Sequence, residues 1–202
     1  MQRAPSDKLA AIYTNVGHTF THMVTILYAT AVLHLPTVFD LPYGEMLGLA
    51  SLGLVLYGVA ALPAGWLGDR WSQVGMMVVL FGGIGVSLLI IGTASSSVQL
   101  FTGLTLLGLF ASIYHPVGIA WLVASAQKQG MTLGINGLFG GLGGAIAPPF
   151  VGLMIDNFTW REAFIVPGVA SIAVGLMLLF SWWRGSVCDV KTDRNVRVPP
   201  TP

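Results

Sequence analysis

The side chains best equipped for chemistry in this 202-residue sequence are its histidines. His18 and His22 stand four residues apart, a spacing that puts two side chains on one face of a helix. Thr14, Asn15, Thr21, Thr25 and Tyr28 share that side. With the two histidines they fill an arc of about 140° if successive residues step by about 100°. Thr105, Gly108, Ser112 and His115 form a second stripe at similar spacing. An imidazole, with an ordinary pKa of about 6.5, can carry a proton or bond an anion near neutral pH. Histidines at i, i+4 also chelate metals, but no cysteine and no carboxylate accompanies this pair, so neither a metal nor another cofactor is expected. Enzymatic chemistry is not expected either. Ser112 and His115 at i, i+3 lack an orienting acid, and neither a di-iron pattern nor a pair of carboxylates stands at depth.

The elements that must carry these groups are membrane spans. Charged residues make up 8% of the chain, apolar residues 54%, and the mean hydropathy is +0.79. A soluble domain has about 25% charged residues. A helix needs about 20 mostly apolar residues to cross a bilayer, and such segments run over 13–35, 45–67, 74–94, 98–122, 132–154 and 163–183. The connections carry turn and cap residues, as in Asp40-Leu41-Pro42-Tyr43-Gly44 and Ser95-Ser96-Ser97. Thr159 and Glu162 read as a capping box opening the last span. The expected fold is therefore an all-α integral membrane bundle of six transmembrane helices. Residues 1–12 form a cytoplasmic segment, 13–184 the membrane domain, and 185–202 a polar, disordered cytoplasmic tail. The first span is too rich in Asn, His and Thr for a cleaved signal peptide.

With the N-terminus in the cytoplasm, the inner segments hold Arg3, Lys8, Arg70, Lys128, Arg184, Lys191, Arg194 and Arg197, and the outer segments hold only Arg161. That bias obeys the positive-inside rule and leaves both termini cytoplasmic. Trp182-Trp183-Arg184 closes the sixth span as an interface anchor. The net charge of +1 calls for no polyanionic partner, so nucleic acid is not expected. Lone Cys188 excludes a disulfide within the chain and reads as inert.

Polar groups in hydrocarbon are costly and normally face a bundle interior or a water-filled cavity. Two polar stripes on two helices point to a shared cavity. A single Thr or Ser is more simply explained by a bond to its own helix backbone. Two imidazoles on one face are harder to dismiss, because a buried unpaired polar group costs several kcal/mol. Gly82-Gly83-Ile84-Gly85 and Gly140-Gly141-Leu142-Gly143-Gly144 read first as sites of close helix packing.

The loop after the second span reads Gly65-Trp66-Leu67-Gly68-Asp69-Arg70-Trp71-Ser72-Gln73. It resembles the major facilitator signature G-x-L-[AG]-D-R-x-[GS]-[RK], with Gln73 in place of the last basic residue. The fifth span is similar to the antiporter motif of that superfamily at Gly134, Gly143, Pro148 and Gly152, with Ala147 and Val151 where glycine is usual. Trp160-Arg161-Glu162-Ala163-Phe164 looks like its usual link between the fifth and sixth helices. Gly17-His18 and Tyr114-His115-Pro116 are similar to the fosmidomycin-resistance group of drug efflux transporters. In that group acids follow these motifs, and here His22 and Val117 stand instead.

The resemblance implies one half of a major facilitator fold, built from two inverted three-helix repeats. It further implies transport of a small solute by alternating access, possible proton coupling, and residence in a cell membrane of bacterial inner-membrane type. Asn15, His18, His22, Thr25, Ser112 and His115 would line the substrate and proton site. Gly65, Gly68, Asp69 and Arg70 would form a cytoplasmic gate. The expected partners are a small-molecule substrate, membrane lipid and a second six-helix half. That second half is either the continuation of a longer chain or another subunit. The alternative is a scaffold, sensor or partner subunit derived from a transporter half that does not itself transport.

Overall fold

The computed structural model describes residues 7–190, and every regular element among them is helical. Hydrocarbon offers no partner to a backbone N–H or C=O, so each span must close its own hydrogen bonds. The first rod is α1 (Asp7–Ala31), followed by the short turn α2 (Pro36–Phe39). The second rod is segmented into α3 (Tyr43–Gly48), α4 (Ser51–Val59) and α5 (Ala61–Arg70). The third is α6 (Gln73–Gly92). The fourth consists of α7 (Ser97–Ala111), a π-helical turn (Tyr114–Gly118) and α8 (Ile119–Ser125). The fifth and sixth are α9 (Gln129–Asn157) and α10 (Glu162–Trp183).

Four of these rods are long and apolar enough to cross a membrane, and the second, bent by 41° before Ala61, makes five. The remaining rod, α1, has 25 residues. Its shortfall is in apolarity, not length, because Asn15, His18, His22 and several threonines stand along it. Residues 10, 13, 14, 17, 18, 21, 24, 27, 28 and 31 of α1 are buried, a helical stripe spaced by three and four.

Numbering the rods from one to six, the main pairings are one with five, two with four, three with six, and three with four. Exchanging rods one, two and three for four, five and six carries the first pairing onto the second and the third onto itself. That is the relation expected of two inverted three-helix repeats. The approach of α4 to α7 depends on glycine at Gly53 and Gly108, because a Cβ on Gly108 would run into the Gly53 carbonyl. α6 is the inner rod, with Met77, Leu80, Phe81, Ile84, Leu88 and Ile91 all inaccessible.

The helix ends are satisfied by specific groups. Ser96 accepts from the Gln99 amide at 3.2 Å to open α7. At the start of α10, Glu162 accepts from the Thr159 amide at 3.0 Å, while the Thr159 hydroxyl accepts from the Arg161 amide. Arg161 donates to the Gly92 and Ala94 carbonyls at 3.0 and 2.8 Å, at and just beyond the last turn of α6.

Of the segment expected to form a tail, residues 187–190 lie against the bundle, and 191–202 lie outside the described residues. Val187 is buried, and the Trp121 indole donates to the Cys188 carbonyl at 3.2 Å. Asp189 accepts from the Ser72 hydroxyl at 3.0 Å and from the Val74 amide at 2.9 Å. It thereby places a carboxylate at the N-terminus of α6, where the helix dipole favours it. Composition alone hid this, because an acid that caps a distant helix looks like any polar tail residue. Burial, and then the adjacent Asp189, push the Cys188 thiol above its usual pKa, which keeps it protonated and unreactive.

Replacing Gly108 with Ala should destabilise the bundle by about 1–3 kcal/mol through overpacking. Gly141→Ala, where a Cβ meets open space, should be neutral or slightly stabilising. Thermal unfolding of the purified variants in detergent would check the contrast, and equal midpoints would contradict it.

Candidate functional site

Three rods bring the polar stripes together. α1 supplies His18 and His22, and the π-helical turn supplies His115. The turn arises where Pro116, which has no amide hydrogen, removes a rung of the helical ladder. One nitrogen from each imidazole lies within 4.8 Å of the others. The ring centroids of His18 and His22 are 4.7 Å apart, and those of His18 and His115 are 5.5 Å apart. His22 and His115 are separated by 5.6 Å. His18 is buried, whereas His22 and His115 are half-buried.

Asn136 of α9, only 2% exposed, joins the rods. Its backbone carbonyl lies 2.8 Å from His18 Nδ1. A carbonyl can only accept, so Nδ1 carries the proton and Nε2 is left free. The Asn136 side chain accepts from the Tyr114 hydroxyl at 3.0 Å and donates to Asn15 Oδ1 at 2.9 Å. Spans one, four and five are thus linked by one hydrogen-bonded chain. The His18 ring also stacks on Tyr114 at 4.8 Å. It lies over Gly140, where a Cβ would come within 2.6 Å of His18 Nε2. One turn on, Gly143 lets α9 meet the Thr19 carbonyl of α1.

About one turn along α1 from His22, at Val24 and Thr25, begins a cavity of about 400 Å³ bounded by α1, α3, α4 and α7, with none of the three histidines in its lining. Thr25, Tyr28, Tyr57, Leu104, Gly108 and Ala111 are among its walls. Its lining is mostly apolar, and Tyr57 stands between it and His115 at a ring separation of 6.3 Å.

The remaining residues expected at the site divide clearly. Thr25 lines the cavity but donates its hydroxyl to the His22 carbonyl at 2.8 Å. Ser112 donates to the Leu109 carbonyl at 2.7 Å and not to His115. Asn15 is held by Asn136. Gly65 and Gly68 of α5 face Pro116 and Val117, so the loop motif rests on the turn that carries His115. Asp69 and Arg70 are exposed on that rod, with the Arg70 guanidinium 4.4 Å over the Trp66 ring. Of the fifth-span motif, only Gly143 is pressed against a neighbour. Gly134 and Gly152 face open space, Pro148 is exposed, and α9 runs on through Pro148 and Pro149. Asn136, Tyr57 and Gly140 went unrecognised as site residues. An asparagine inside an apolar span was itself a signal for the first of them.

Six rods paired in this way, four or five of them long and apolar enough to cross a bilayer, with polar groups gathered on rods one and four, define a multi-pass membrane helix bundle. Residues 15–200 match the Major Facilitator Superfamily, and the chain belongs to that family. It is 31% identical over 148 residues to the probable sulfoacetate transporter SauU of Cupriavidus necator, covering 67% of this chain and 34% of that protein. It is 29% identical over 142 residues to the glycerol-3-phosphate transporter of Bacillus subtilis, covering 64% of this chain and 32% of that protein. The chain therefore spans about a third of the length of these relatives. The crystal structure of the POT family transporter PepTSo superposes with a TM-score of 0.70 at 19% identity, over 90% of this chain and 38% of that one. That likeness speaks to the fold.

Nitrogen-15 NMR of the imidazoles should find His18 protonated at Nδ1 and bare at Nε2. The Gly140→Ala variant should lose that signature as its new methyl displaces the ring. A neutral His18 protonated at Nε2 in the parent chain would contradict the assigned geometry.

Proposed function

We propose that this chain forms one wall of a secondary transporter that moves a small organic anion by alternating access. The observation that carries the reading is the meeting of His18, His22 and His115, on the two spans related by the internal repeat, with Tyr57 joining His115 to the wall of a neighbouring cavity. The matched relatives are named for sulfoacetate and for glycerol 3-phosphate, and both solutes are small anions. Imidazoles suit such a solute. Protonated, they bond a sulfonate, phosphate or carboxylate with charge-assisted hydrogen bonds, and neutral, they release it. The same protonation would couple transport to a proton, with exchange as one mode. A second six-helix half, in the same polypeptide or another subunit, supplies the opposite wall.

The apolar remainder of the cavity would receive the carbon skeleton of the solute. Asn15 acts through Asn136 rather than on the solute directly. Thr25 retains acceptor lone pairs toward the cavity, and Ser112 is structural. Gly65, Gly68, Asp69 and Arg70 would gate the cytoplasmic side, and α5 would pass that motion to the π-helical turn. Lys8, Arg70, Lys128 and Arg184 lie on the side we assign to the cytoplasm, in a bacterial inner membrane. The drug-efflux alternative rests on Gly17-His18 and Tyr114-His115-Pro116, and it places an apolar drug in the same cavity.

Uptake of labelled sulfoacetate and glycerol 3-phosphate into cells expressing the transporter tests the reading. His18→Gln and His115→Gln should each lower uptake about 10- to 100-fold, the worth of a hydrogen bond to a charged group. Unchanged uptake with an unchanged pH profile in both variants would overturn it.

A further inference from the structure

We propose that His18, His22 and His115 form a three-imidazole binding site for a divalent transition-metal ion of the zinc, cobalt, nickel and copper class. The pair on α1 alone offers two ligands. The fold adds the third from a different rod, and all three nitrogens lie within 4.8 Å of one another. Three neutral imidazoles are a recurrent ligand set for these metals, with metal–nitrogen bonds of about 2.0–2.1 Å and a fourth position left to water or solute. A tetrahedral ion would need nitrogens about 3.4 Å apart, so the nitrogens close by up to about 1.4 Å on binding.

His18 is already set for the task. Metal-bound histidines typically donate their second nitrogen to a carbonyl or carboxylate, which fixes the tautomer and turns the other nitrogen toward the ion. The Asn136 carbonyl does this at His18 Nδ1, at 2.8 Å. Stacking on Tyr114 and the space over Gly140 hold the ring in place. Among the described residues, no hydrogen bond fixes the rings of His22 or His115. These two can turn a nitrogen inward, and their partial exposure gives an ion a way in. Three neutral imidazoles so close together repel as soon as two are protonated, whereas one cation gives all three lone pairs a partner at once. The site keeps no cysteine and no carboxylate, so it suits reversible binding rather than a permanent structural ion.

The proposal stands whether or not the chain transports anions, because its test reads metal and not uptake. Purified full-length chain in nanodiscs is titrated with zinc against a fluorescent zinc chelator, and with cobalt, whose tetrahedral complexes absorb in the visible. One equivalent should bind, with a four-coordinate cobalt spectrum. His18→Gln, His22→Gln and His115→Gln should each weaken binding at least about tenfold. His34→Gln, outside the cluster, should leave it unchanged. In the parent chain, zinc should protect three histidines from carbethoxylation, a readout that needs no variant to fold. Absence of stoichiometric binding, binding indifferent to the three cluster variants, or carbethoxylation unaffected by zinc would each overturn the proposal.

Discussion

A polar side chain inside hydrocarbon must find a partner or water, and the architecture of this chain is arranged around that demand. Asn136 is where the demand is met. Its carbonyl holds His18, its amide bridges Tyr114 and Asn15, and it is buried to 2% exposure while doing so. The bonds to His18 and Tyr114 are buried and the one to Asn15 partly so, so breaking either of the first two would leave its mate unpaired in a low-dielectric setting. The relative placement of spans one, four and five is fixed by this chain, and the imidazoles inherit their positions from it.

The two repeats divide the labour. Span one presents His18 and His22 from a continuous helix, while its counterpart, span four, presents His115 from a π-helical turn. The turn is also the surface on which α5 rests through Gly65 and Gly68. The end of α5 that carries Asp69 and Arg70 is therefore coupled by direct contact to the turn beside His115. The packed tail adds a tether on the same side, since Asp189 caps α6 directly after α5.

Much of this could be read in the sequence, and for definite reasons. Hydrocarbon leaves few ways to satisfy a backbone, so runs of apolar residues translate into rods. The motif from Gly65 to Gln73 and the spacing of His18 and His22 are local facts, although α5 carries that motif as helix as far as Arg70. What could not be read was distance between rods. Nothing in the spacing of α1 places His115 beside His22, or Asn136 beside His18. Ser112 and Thr25 have the right types at the right phase, yet both spend their hydroxyls on their own helices. Gly140, one of several adjacent glycines, became specific only when a histidine ring was found above it. The docking of Val187 and Asp189 could not be read either, because they meet surfaces far away in sequence.

Imidazoles that bind and release a solute must be reached by water. The most direct measurement places single cysteines in a Cys188→Ser background and follows their rate of modification by a small membrane-impermeant thiosulfonate in native membranes. Cysteine at position 22 or 57 should react at rates approaching those of an exposed loop position. Cysteine at position 169, on the outward face of α10, should stay unmodified, because lipid covers it. If positions 22 and 57 prove as unreactive as 169, the histidines are packed dry between helices and the carrier mechanism is wrong.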